Sequence, residues 1–197
     1  MKIFLTFFIC FIITPPLFTQ GYPSAVGDYR YIIQSVTING KTNINRFTFE
    51  YDTSKNHFLE KEESENCTHV QENVIKFDFL VRGFDSNNKR MNHDFYNMLN
   101  SSIYPKIVVA IQQNEINNIF YKRADNYLNL HLNMAGNHKV VPGNYSYQFL
   151  EEDTLKLKGG TQINLNDFSL EPPQKMLGLV QVDKTIFINF DIVLIHR

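Results

Sequence analysis

Apolar and polar residues alternate at period two along much of this chain, and that rhythm limits the fold more than any other feature. In the run Tyr127 to Met134, Leu128, Leu130, Leu132 and Met134 fall on one face, and Tyr127, Asn129, His131 and Asn133 on the other. Ile186, Ile188, Phe190, Ile192 and Leu194 repeat the pattern near the C-terminus. So do Ile75, Phe77, Phe79 and Val81, and Asn45, Phe47, Phe49 and Tyr51. Such strands bury one face and wet the other, as antiparallel sheets do. Many short strands without a βαβ rhythm argue for closure into a barrel, which removes exposed edges.

Turn signals are read at Asn39-Gly40, Pro142-Gly143-Asn144, Gly159-Gly160 and Val182-Asp183-Lys184. The charged segment Glu60 to Glu65 reads as a solvated loop. One segment breaks the strand rhythm. From Asn88 to Leu99, the residues Met91, Phe95, Met98 and Leu99 share one helical face, and Asp85-Ser86-Asn87 supplies N-cap chemistry. Tyr104-Pro105 returns the chain to an extended form before Ile107 to Ile111. One amphipathic helix among antiparallel strands is expected to cover a surface or an end of the barrel. The segment Phe168 to Leu194, with Pro172-Pro173, Gly178 and a closing alternating strand, reads as the end of that barrel, its double proline re-aiming the chain.

At the N-terminus, Lys2, an apolar run from Ile3 to Ile13 and Thr14-Pro15-Pro16 have the form of a secretory signal peptide spanning 1–21. The apolar run is shorter than the roughly 18 residues needed to span a bilayer, and no other stretch is long enough, so stable membrane insertion is not expected. Cys10 falls inside the leader, which leaves Cys67 without an internal disulfide partner. Residues 22–197 suit one domain with a sizeable core. A net charge of −1 with scattered basic residues argues against nucleic acid as a partner.

Catalytic signals are weak. His57, His69, His93, His131, His138 and His196 form no HxxxH or HExxH arrangement, and no CxxC occurs, so no metal or cofactor is expected. His131 is the outward member of its strand. His93 and Asp94 are helix neighbours that point apart. Glu62, Glu63 and Glu65 read as a wet charge run, and no serine lies in a GxSxG elbow. What remains is an apolar face on nearly every strand. Either those side chains fill the barrel, or the barrel encloses a cavity as eight-stranded barrels can.

Four motifs then carry a resemblance to the YceI-like family. Lys89, Arg90, Met91, Leu99, Tyr104, Pro105 and Ile107 match its basic pair, helix and Tyr-Pro in order. Leu128-Asn129-Leu130 with Met134 to Lys139 resembles its strand and turn, although Asn137 and His138 depart from the pattern. Asp167 to Pro173 with Met176-Leu177-Gly178 resembles its double-proline stretch, and Ser35 to Phe47 the opening of one branch, in which Phe49 stands where a cysteine is common. The resemblance implies an all-β, antiparallel, lipocalin-like extended barrel with one amphipathic helix inserted near residues 88–100. It implies a bacterial periplasmic or secreted location, no enzymatic activity, a polyisoprenoid or other long-chain lipid ligand, and possible homodimers. On that reading, Ile75, Phe77, Phe79, Leu128, Leu130 and Leu132 line the cavity, and Met91, Phe95 and Met98 cover one side. Each methylene moved from water into such a cavity gains about 0.8 kcal/mol, so a long chain needs few polar contacts. A packed structural barrel and an enzyme acting on an apolar substrate are the competing readings.

Overall fold

The alternating runs become strands in the computed structural model, which describes residues 29–55, 73–123, 126–173 and 180–196. The leader, Cys67, the Glu60 to Glu65 run, His57, His69 and Met176-Leu177-Gly178 lie outside the described residues. Among the described residues, nine strands form one antiparallel sheet: β1 Tyr29–Lys41, β2 Arg46–Tyr51, β3 Val74–Leu80, β4 Phe84–Asp85, β5 Lys106–Gln112, β6 Tyr127–Met134, β7 Asn137–Phe149, β8 Thr154–Asn164 and β9 Thr185–His196. Their order is β3-β5-β6-β7-β8-β9-β1-β2-β4.

The strands at the two ends of that order are consecutive in the chain. A 3-10 turn, Val81–Gly83, separates β3, which pairs with β5, from β4, which pairs with β2. One broken strand therefore joins both ends of the sheet and closes the barrel. Gly83 lets the Tyr51 ring lie against this turn, because a Cβ there would sit 2.5 Å from the ring. β2 accompanies β1 only from Thr37 to Lys41, and beyond it the Tyr31 ring of β1 packs on Phe77 of β3 at 4.7 Å.

Inner faces follow the alternation. Leu128, Leu130, Leu132 and Met134 are buried, as are Ile186, Ile192 and Leu194. In β1 the register shifts between Ile33 and Ser35, so the buried set runs Ile33, then Val36 and Ile38. The extra residue of this bulge resets the phase of the strand. On the outer face, Asp78 bridges Lys106 at 3.1 Å and Lys76 at 3.5 Å. Asp191 likewise bridges Lys158 at 3.1 Å and Lys156 at 3.5 Å.

Three expected turns are strand instead. Asn39-Gly40 belongs to β1, Pro142-Gly143-Asn144 to β7 and Gly159-Gly160 to β8. Close approach, not reversal, is what these glycines serve: a Cβ on Gly143 would meet Leu130 at 2.7 Å, and one on Gly159 the Asn144 carbonyl oxygen at 2.2 Å. Pro142 is tolerated because β7 pairs with β8 only from Asn144 onward, leaving its first half with β6 alone. The β6–β7 reversal is made by Ala135 and Gly136, both with positive φ, which suits a two-residue hairpin.

The expected helix is α1, Lys89–Met98. Its N-cap is Asn88, whose side chain accepts from the amides of Arg90 and Met91, while Asp85 caps the preceding turn through Asn87 N–H. A second helix, α2 Gln113–Phe120, falls outside the sequence reading of one helix. Its Asn-rich sequence has modest helix propensity, and burial decides the outcome: Ile116 and Ile119 are completely buried. α2 plugs the barrel end where β1 begins, with Phe120 against Tyr29, Phe149 and His196. α1 covers the other end, its Phe95 stacked on Phe49 at 4.4 Å. Among the described residues no helix is long and apolar enough to cross a membrane.

The Tyr29 hydroxyl donates to Asn117 of α2, and burial pushes its pKa from 10.0 to about 12. Raising pH from 10 to about 12 therefore ionises Tyr29 in the unfolded chain before the folded one. Stability is expected to be full below pH 10 and to fall across that window. Burial also raises Tyr51 and Tyr96, so Tyr29→Phe should flatten the alkaline slope in part. Urea midpoints measured between pH 9 and 12 check this, and an unchanged slope in Tyr29→Phe would count against it.

Candidate functional site

Interior space is not spread evenly along the barrel. A central cavity of about 40 Å³ is lined by Phe77, Phe79, Leu130, Leu132, Val141 and Ile188, among others. Next along the axis lies one of about 30 Å³, which shares Phe79, Leu132 and Ile188 with the first. A third, larger cavity of about 140 Å³ lies beneath α1 and shares Ile38, Phe95, Met98, Leu165 and Ile186 with the second. The three thus run in series, separated only by apolar side chains.

Four segments meet around the end cavity. α1 contributes Met91, Asp94, Phe95 and Met98, at the spacing that puts them on one helical face. β1 and β2 supply Ile38, Phe47 and Phe49, and β9 supplies Ile186. The chain after β8 adds Leu165, Pro172 and Pro173, and Val180 and Val182 complete the wall. Thr42 and Asp94 are the polar members. A cavity near 150 Å³ accepts a benzene-sized group, so this end takes a ring or a short branched unit. A longer chain has to displace side chains, and unbranched Met91 and Met98 are the most adaptable of them.

The residues expected at the ligand divide into three sets. Phe77, Phe79, Leu130 and Leu132 line the central cavity, and Met91, Phe95 and Met98 line the end cavity. Ile75 and Leu128 are buried inward-facing residues that border neither. Sequence reasoning missed Ile38, Phe47, Phe49, Leu165, Pro172, Pro173 and Ile186. Phe47, Phe49 and Ile186 were on recognised apolar faces, but nothing local marks which end of a strand meets a helix. The double proline, expected to re-aim the chain, forms part of the wall.

Among the described residues, no group of three or more His, Cys, Asp or Glu side chains could hold a metal. His93 bonds to Asn97 along the exposed side of α1, and His131 packs on His138 outside the barrel at 5.6 Å. Among the described residues, the cavity walls present no acid–base pair. Their chemistry is that of solvent exclusion.

Comparison with known proteins agrees with this geometry. The family model described as "YceI-like domain" matches residues 24–194. A search of curated proteins finds no match. Among solved structures, a polyisoprenoid binding domain from Saccharophagus degradans, implicated in plant cell wall breakdown, superposes with a TM-score of 0.65 at 11% identity, covering 86% of this chain and 98% of that one. Burkholderia cenocepacia BcnA gives 0.49 at 14% identity, covering 81% and 94%. A Campylobacter jejuni YceI protein gives 0.42 at 10% identity, covering 100% and 99%. The matched span takes in β1 to β8, both helices, all but the last two residues of β9 and all the described residues that line the interior cavities, so the chain belongs to the YceI-like family.

Proposed function

We propose that this chain is an exported binding protein that holds a long-chain amphiphile, such as a polyisoprenoid, with its tail inside the barrel. Residues 1–21 are its leader and residues 22–197 the mature barrel in the periplasm or outside the cell. The observation that carries the reading is the row of apolar cavities, which widens beneath α1. Burial of a prenyl tail along that row stabilises the complex through the hydrophobic effect alone, without a directional contact. The tail enters between α1 and the Pro172-Pro173 segment, and the polar head stays at that end. The similarity to a polyisoprenoid binding domain supports the ligand class.

The small central volumes favour a second reading, a packed barrel that serves as an interaction module. Pockets that bury drug-sized ligands run to about 300 Å³ or more, and this interior reaches that size only if Phe79, Leu132 and Ile188 move. Native mass spectrometry of gently purified protein separates the two: a co-purified lipid adduct supports the carrier, and a bare mass after incubation with prenyl lipids supports the module. Met98→Trp is expected to fill the end cavity, leave far-ultraviolet circular dichroism unchanged and abolish lipid retention. Full retention by folded Met98→Trp protein would overturn the proposed route.

A further inference from the structure

Two histidines stand side by side on the outer wall of the β6–β7 hairpin. In that ladder Val140 is opposite His131 and His138 is opposite Asn133, so all four side chains leave the face away from Leu130 and Leu132. His131 and His138 are diagonal neighbours there, within reach of each other across the strands. Their ring centroids are 5.6 Å apart. The hairpin that carries them is stiff, since β6 is paired with β7 over its whole length, from Tyr127↔Asn144 to Met134↔Asn137. That pairing uses neither imidazole. His138 is exposed and His131 half-buried, and among the described residues neither ring makes a hydrogen bond or an ion pair.

Two rings at this spacing can share a metal ion. An imidazole nitrogen binds zinc at about 2.0–2.1 Å, and its ring centroid lies about 1.1 Å further along the same line. Two rings on one ion then have centroids about 4.5 Å apart at a right angle and about 5.1 Å apart at the tetrahedral angle. The observed 5.6 Å is slightly wider than the second value, and a small rotation of the exposed His138 ring closes the gap. Asn133 adds an amide oxygen on the same face, directly opposite His138. A nitrogen and oxygen set of this kind suits copper(II) as well as zinc(II). On β5 the residues opposite Asn133 and His131 are Val108 and Ala110, which carry no charge to repel a cation.

We infer that His131 and His138 chelate one divalent transition-metal ion, copper(II) or zinc(II), on the outer wall of the barrel. A closed structural site takes four protein ligands, and among the described residues no group of three or more His, Cys, Asp or Glu side chains is gathered. Two imidazoles suffice for an exchangeable ion, whose remaining positions are open to water. The site is separate from the apolar interior and from whatever the interior holds, because β6 and β7 stand between them.

The test titrates the mature protein, stripped with a chelator, with copper(II) chloride and separately with zinc(II) chloride at neutral pH, read by isothermal calorimetry. One ion per chain is expected, with copper(II) held more tightly than zinc(II). His131→Ala and His138→Ala should each weaken binding about tenfold or more. The double variant should lose little beyond either single one, because a lone imidazole no longer chelates. All three should keep the far-ultraviolet circular dichroism of the unaltered barrel. Electron paramagnetic resonance of the copper(II) adduct of unaltered protein should show two equatorial imidazole nitrogens, a readout that does not depend on any variant folding. The His57→Ala, His69→Ala double variant is the control and should keep the site. Absence of binding by the unaltered protein overturns the inference, as does a signal with fewer than two imidazole nitrogens. Unchanged affinity in His131→Ala or His138→Ala overturns it too, as does a loss confined to the control variant.

Discussion

Alanine at position 168 is expected to cost the fold about 3–5 kcal/mol. Phe168 is completely buried at the end of a 3-10 turn, Leu165–Phe168, that follows β8. That turn occupies a wedge. β7 and β8 are paired from Phe149↔Leu155 to Asn144↔Gly160, and no pairing continues to Asn137–Gly143 or Thr161–Asn164. Where the strands part, Thr161 Oγ1 donates to the Pro142 carbonyl at 2.8 Å, and Asn137 Nδ2 donates to the Phe168 carbonyl at 2.8 Å. These two bonds span the opening, and Phe168, held there through its carbonyl, is completely buried beside it. Removal of the ring opens a hole in the wall that β6 and β9 cannot close without breaking their own ladders. Phe187→Ala is the control: its ring is half exposed, so the loss should stay within about 1 kcal/mol. Urea denaturation of both variants gives the comparison. A loss below about 1 kcal/mol for Phe168→Ala would mean that its ring does not seal the wedge.

The inner faces were legible in the sequence because period two is a purely local signal: the side chains of Leu128, Leu130, Leu132 and Met134 have to point one way in any strand. The helix at Lys89–Met98 was legible for the same reason, through period 3.6. What failed was punctuation. Gly143, Gly159 and Gly160 have the composition of turns, but they lie inside strands because another chain segment passes close by, and that segment is remote in sequence. α2 failed for a related reason, since Ile116 and Ile119 become a helical face only once an open barrel end is there to receive them. The bulge at Ile33–Ser35 shifts the β1 alternation by one residue, which no local pattern announces. The candidate site was half legible. Met91, Phe95 and Met98 followed from the helix, and Phe77, Phe79, Leu130 and Leu132 from the strands. The convergence of Phe47, Leu165 and Pro172-Pro173 on the same cavity depends on closure, which brings β2, α1 and the segment after β8 together.

Gly159→Ala is expected to be the most damaging of the glycine substitutions, with a loss of about 3 kcal/mol or more. A Cβ at Gly159 would lie 2.2 Å from the Asn144 carbonyl oxygen and 2.9 Å from Tyr145 Cα, both backbone atoms of β7. Backbone in a paired strand cannot rotate away, so β7 has to lift from β8 at the point where the two diverge. Phe190 Cζ, 2.8 Å from the same Cβ, can move, but only into the central cavity that its residue lines. Gly143→Ala provides the internal comparison. There the nearest atom is Leu130 Cδ1 at 2.7 Å, the end of a flexible side chain next to a cavity of about 40 Å³. Rotation of Leu130 into that space offsets most of the clash, and the expected loss is about 1–2 kcal/mol. Both substitutions add one methyl group to an inward-facing strand glycine, so any general cost of β-strand propensity or unfolded-state entropy is shared. The difference between them isolates backbone contact from side-chain contact. Guanidinium midpoints decide the order, and equal losses would show that β7 can lift from β8 at little cost. A barrel able to part there would admit a chain through its side wall as well as beneath α1, and on the proposed carrier function Gly159→Ala would then raise the rate of lipid exchange while costing no more stability than Gly143→Ala.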